Sequence, residues 1–129
     1  MPTHKILRQW QSGNESVSQE ESPSADSETN LDVAVPDASA DLQANVAIDI
    51  SELASLFISA DQDLTIYTND AAGGSPDDTI ALKANKALVW TPNCGYSNPL
   101  SADVTALYIT NASGVDTTLQ IRLLQDSTP

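Results

Sequence analysis

Histidine and cysteine occur once each in this 129-residue chain, and five basic residues stand against eighteen acidic ones. Each scarcity removes a class of function. Cys94 has no partner within the chain, so no internal disulfide staples a small fold. It also has no base beside it to make a thiolate, and it reads as a small, semi-buried hydrophobe rather than a nucleophile. His4 lies in a polar N-terminal stretch where no rigid scaffold aligns it, which makes it a solvated side chain rather than a metal ligand or a catalytic base. Lys83, Lys86 and Arg122 are too few and too scattered to form the basic stripe that phosphate backbones require, so nucleic acid is excluded as a partner. The first ten residues lack the apolar core of a signal peptide, and no segment approaches the roughly 18 apolar residues of a membrane span. The expectation is a protein made and kept soluble in a reducing cell, with no membrane partner.

No cofactor motif is present. Gly73-Gly74 fits no phosphate-binding pattern, and Asp61, Asp63, Asp70, Asp77 and Asp78 do not have calcium-loop spacing. Those carboxylates cluster where turn residues are expected, which is a simpler account of them than acid–base catalysis or metal binding. The sequons at Asn14 and Asn111 are short enough to arise by chance. These readings predict a non-enzymatic protein without cofactor or metal.

What is present is an alternating pattern. From Ala44, Val46, Ile48 and Ile50 alternate with Asn45, Ala47 and Asp49, the period of a half-buried strand. The stretch SELASLF at residues 51–57 fits a short helical turn capped by Ser51, with Leu53, Leu56 and Phe57 inward. Further strands are expected at residues 63–69, 79–83, 87–91, 104–110 and 117–124, with those at 79–83 and 87–91 joined as a hairpin around residues 84–86. Trp90 lies in an apolar run that favours the core. In the last strand Leu119, Ile121 and Leu123 face one way and Thr118, Gln120 and Arg122 the other. About six strands with closely spaced turns predict an all-β fold, a small antiparallel β-sandwich or jelly-roll-like barrel, at residues 44–129.

Residues 1–43 read as an extended acidic N-terminal arm, with two basic and eight acidic groups against three and ten in the remainder. Residues 11–30 are nearly free of large aliphatics and cannot recover their ordering entropy by burial. Ile6, Leu7 and Trp10, beside Lys5 and Arg8, have the spacing of one side of a helical turn and form a candidate arm anchor. Leu31, Val33 and Val35 alternate and form a candidate strap that adds a strand to a partner's sheet edge. Tyr96, in the loop at residues 92–100, is a third candidate contact. An 86-residue sandwich is marginal by itself, which points to oligomerisation or docking on something larger.

The strand phrasing resembles a known family. DQDLTIYTN at residues 61–69, DDTIALKANK at 77–86, VWT at 89–91 and VTALYITN at 104–111 are similar to the small β-sandwich proteins of tailed bacteriophages that decorate, or cement, the capsid, and to related head-associated proteins. The resemblance spans residues 45–125. It implies a structural protein of the virion, made in the host cytoplasm and placed on the outer surface of the head. There it would bind the major capsid protein and itself, as a homotrimer in preference to a homodimer, and stabilise the particle by linking neighbouring capsomers. The competing reading is a head-fibre or tail-associated receptor or carbohydrate-binding module, whose mark would be exposed aromatics on one sheet face.

Overall fold

The computed structural model describes residues 1–127. Ten strands follow one another: β1 (Ile6–Ser12), β2 (Glu15–Glu21), β3 (Ser27–Val35), β4 (Leu42–Ile48), β5 (Leu53–Ser59), β6 (Leu64–Thr68), β7 (Thr79–Leu82), β8 (Leu88–Trp90), β9 (Val104–Thr110) and β10 (Thr117–Gln125). All pairings are antiparallel. Among the described residues no helix is long and apolar enough to cross a membrane.

The eight strands β3–β10 build the sandwich as two sheets, ordered β3-β10-β5-β8 and β4-β9-β6-β7. The pairs nest: first with last, second with second-last, and so inward to β6 with β7. That is one long hairpin wound onto itself, the jelly-roll arrangement. Within the sandwich only the β6–β7 connection stays in one sheet; every other link between successive strands from β3 to β10 crosses from one sheet to the other. The all-β sandwich expected from the alternation is what forms. Leu119, Ile121 and Leu123 of β10 are fully buried between the sheets with Leu56, Ile58, Ile66, Leu107 and Ile109.

Four local expectations are corrected. The helical turn at residues 51–57 is instead the start of β5, held between β10 and β8, with Leu56 and Ile58 alternating into the core. A register irregularity where β10 meets Leu53 lets that residue turn inward too, and this bulge imitates helical spacing. The gap at residues 84–86 does not close a hairpin, because β7 and β8 lie in different sheets. It is a corner, with Asn85 left-handed at φ 60° and its N–H donated to the Ala60 carbonyl at 2.8 Å.

The third correction concerns the arm. Its expected end at residue 43 falls inside β4, and residues 27–35 are an edge strand paired along their whole length with β10. The strap does add a strand, but to its own sheet, because β10 has an open side whose apolar positions Leu31, Val33 and Val35 complete. Fourth, residues 6–21 form a two-stranded hairpin rather than a helical turn followed by an irregular tail. Gly13 at φ +57° and Asn14 make its two-residue turn, the type II′ geometry that suits the twist of paired strands.

Candidate protein-docking surface at the N-terminal hairpin

The hairpin is fixed at its base and free beyond it. The backbone of His4 donates to the Pro23 carbonyl at 2.9 Å and that of Ala25 to the Pro2 carbonyl at 3.2 Å, closing the two chains at the root. His4 is only 15% exposed: Nδ1 lies 3.0 Å from Ser55 Oγ and Nε2 lies 2.9 Å from Glu28 Oε2. The expected solvated histidine is therefore a clasp. Strand register puts Glu28, Leu124 and Ser55 side by side on the outer face of the first sheet. An imidazole bonded to both ends of that row covers Leu124 in its middle. Leu124, Ser55, Ala25 and Ile6 are all buried, yet none belongs to the main core. They are a second, small core between the hairpin root and the sandwich. Glu21 adds a hydrogen bond from the Thr91 hydroxyl.

Serine, histidine and glutamate in hydrogen-bonded sequence invite comparison with a hydrolase triad. The ring is turned the other way, with Nδ1 rather than Nε2 toward the hydroxyl, and Ser55 has no exposed surface from which to attack a substrate. What this arrangement can do is hold.

Beyond the root, no hydrogen bond or ion pair joins residues 9–19 to the sandwich among the described residues. Seven-residue strands extend about 24 Å. Trp10 and Val17 are direct cross-strand partners, 54% and 57% exposed, and Leu7 on the opposite face is 53% exposed. The anchor residues thus divide: Leu7 and Trp10 are presented outward, while Ile6 is buried and seats the hairpin. Val17, across from Trp10, was hidden in a polar run, where only its register makes it a partner. Leu31 and Val33 are half-buried and Val35 fully buried in the sandwich, so their side chains are committed to this chain's own sheet.

Tyr96 is 76% exposed on the loop that follows β8. Its carbonyl accepts the Trp90 indole N–H at 2.9 Å, so Trp90, partly buried against the core, pins the loop. Cys94, partly buried, lies in the same loop. Burial pushes its thiol up, but hydrogen bonding with the backbone of Thr91 and Tyr96 and the charge of Arg8 outweigh this and leave it below the ordinary thiol value. Arg8, on the face that carries Trp10, therefore stands near the loop that carries Tyr96.

The carboxylates are spent on loops. Asp78 accepts the Ser101 N–H at 2.8 Å, Asp63 that of Ala84 at 2.8 Å, Asp103 that of Ile50 at 3.0 Å, and Asp61 the Thr117 hydroxyl. Among the described residues no three His, Cys, Asp or Glu side chains are grouped to hold a metal. Asp70 closes the turn after β6 by accepting from Ser75 and Ala71, both at 2.8 Å. A Cβ on Gly74 would fall 2.3 Å from that carboxylate, so any other residue there would displace Asp70 from these hydrogen bonds.

Hydrogen bonds from Ser75 and Ala71 lower the Asp70 pKa below the usual aspartate value, and the Ser127 hydroxyl and N–H do the same for Asp26. With the folded value below the unfolded one, their stabilisation is complete above about pH 4 and is lost as pH falls through the depressed values. The urea midpoint is expected to stay flat from neutral pH to about pH 5 and to fall below about pH 4. In Asp70→Asn the acid fall should be shallower; an unchanged acid limb would contradict the assignment.

No family model matches this chain, and no curated protein does. A solved structure from work described as "Bacillus endospore appendages form a novel family of disulfide-linked pili" aligns over 81% of this chain and 91% of that one, at 17% identity and a TM-score of 0.35. That likeness carries no functional weight.

Proposed function

We infer that this chain is a non-enzymatic structural subunit that fastens to a larger protein assembly through its N-terminal hairpin. The observation that carries this reading is the exposed Trp10–Val17 pair on a hairpin whose root is locked by its own small core. Among the described residues six large apolar or aromatic side chains are left exposed, and three of them belong to β1 and β2. A projecting hairpin with Lys5 and Arg8 beside a tryptophan has the composition of an interface anchor. In the specific form suggested by the phage-like strand phrasing, the assembly is a bacteriophage head. The chain then acts as a cement protein on its outer surface, contacting the major capsid protein and other copies of itself, with a homotrimer favoured.

The test is attachment of the full chain to undecorated heads of the phage that encodes it. Covering the exposed half of a tryptophan removes about 100 Å² from water, worth about 2.5 kcal/mol, or a little under two powers of ten in affinity. Trp10→Ala with Val17→Ala should therefore weaken attachment about 100-fold in co-sedimentation. The melting temperature of the free protein should hardly move, because both side chains are exposed. Wild-type protein that fails to co-sediment, or a double variant that attaches equally well, would reject the reading.

A further inference from the structure

The four strands of the second sheet read LQANVAI, VTALYIT, LTIYT and TIAL, without one charged residue, in a chain that carries eighteen acidic and five basic groups. One face of this sheet is core. On the other, register aligns Gln43, Tyr108, Tyr67 and Thr79 in a single row across all four strands. Tyr67 and Tyr108 are directly opposite, a spacing of about 5 Å between Cβ atoms. Both are half-buried, and among the described residues neither phenol hydroxyl makes a hydrogen bond. The adjoining row contains Thr110 and Thr65, and it lines a cleft of about 470 Å³. Lys83 and Asp63, which also line that cleft, lie 3.8 Å apart and offset each other's charge.

We propose that this outer face binds an uncharged polysaccharide, with sugar rings stacked on Tyr67 and Tyr108 and sugar hydroxyls bonded in the threonine-lined cleft. Charge selects the class of ligand. A chain of net charge −13 repels nucleic acids, acidic glycans and anionic lipid surfaces, and a basic protein would favour the acidic loops over the one face without charge. Size argues against a second copy. Four strands span about 14 Å between outer axes, and β6 is about 17 Å long, so the platform offers a few hundred Å² against the roughly 800 Å² per partner of a stable protein interface. Chemistry fits what remains. The free phenols, and the remaining capacity of Gln43 and Thr110, which already bond Asn45 at 3.1 Å and the Asp41 N–H at 3.3 Å, would be left unpaired in a dry sheet-on-sheet contact, whereas a sugar supplies a flat face for the rings and a donor or acceptor for each polar group.

The proposal is independent of the hairpin's role. Titration calorimetry of the full chain against cellohexaose, xylohexaose, mannohexaose and N-acetylchitohexaose, with hexagalacturonate as the anionic control, should give saturable binding to at least one neutral oligomer and none to the anionic one. Tyr67→Ala and Tyr108→Ala should each weaken it about fivefold or more. Thr79→Lys, at an exposed position that leaves the core untouched, should do so without lowering the melting temperature. Trp10→Ala should bind as wild type. Absence of binding to every neutral hexasaccharide, preference for the anionic one, or equal binding by Thr79→Lys and both tyrosine variants would overturn the proposal. So would a dimer in sedimentation velocity that Thr79→Lys abolishes, since the face would then belong to a second copy.

Discussion

Asn111→Leu is expected to lower the stability of the domain by about 3 kcal/mol or more, with a fall in melting temperature of about 10 °C. Asn111 is 1% exposed, and its amide binds three carbonyls at once: Val115 at 2.8 Å, Val35 at 3.1 Å and Pro36 at 3.3 Å. Its Oδ1 accepts the Ser113 N–H at 3.0 Å and the Ser113 hydroxyl at 2.7 Å, and its own N–H is donated to the Ser39 carbonyl at 2.9 Å. One side chain thus staples the β3–β4 connection to the β9–β10 connection, two crossovers far apart in sequence. Leucine fills a similar volume but takes the donor from all three carbonyls; that of Val115 keeps the Ser113 hydroxyl at 3.1 Å, whereas the buried one of Val35 loses its amide donor, at about 1–3 kcal/mol for each group that finds no substitute. Asn111→Asp keeps the acceptor and loses the donors, so it should be nearly as damaging. Urea denaturation of both variants checks this. A loss below about 1 kcal/mol in each would mean that the carbonyls find other partners. The same burial removes Asn111 as a glycan acceptor in the folded chain.

Much of the sandwich was legible because burial on one face writes period two into a strand. Val46 with Ile48, and Leu119, Ile121 and Leu123, were placed correctly for that reason. Which strands pair was not legible. Leu31, Val33 and Val35 look the same whether they complete their own sheet or a partner's, and only the free side of β10 decides between them. The hairpin was missed because ESVSQEE is polar on both faces, so burial leaves no periodic mark on it. Its signal was the Gly13-Asn14 dipeptide between two segments of equal length. Leu53, Leu56 and Phe57 misled because a bulge in a strand and a turn of helix can produce the same spacing. As for the candidate sites, the exposure of Trp10 and Tyr96 could be guessed from their polar surroundings. The pairing of Tyr67 with Tyr108 depends on a register that joins residues about forty positions apart, and nothing local encodes it.

The small core under the hairpin left one readable trace: Leu123 and Leu124 are consecutive, so one of them must point away from the sandwich interior. Leu124 does so and is nevertheless fully buried, between Glu28 and Ser55 and beneath His4. Leu124→Arg is therefore expected to act on the hairpin before it acts on the sandwich. Keeping the root in place would bury an unpaired guanidinium, at several kcal/mol. Releasing residues 1–25 costs instead the His4 hydrogen bonds and the burial of Ile6, Ala25 and Leu124, and it returns the conformational entropy of a two-stranded hairpin that is marginal by itself. The second course is the cheaper one. Proteolysis within residues 1–25 should accelerate at least about tenfold, about 1.4 kcal/mol of lost protection, while the sheet signature in circular dichroism persists. His4→Ala should move in the same direction by less, since it removes the clasp without inserting a charge. If the hairpin is the docking element proposed above, attachment to its assembly should fall in both variants in the order of hairpin release, because a Trp10–Val17 pair on a loose tether must be ordered again on every encounter. A Leu124→Arg protein whose hairpin resists protease as well as wild type would mean that the outer-face core does not seat the hairpin.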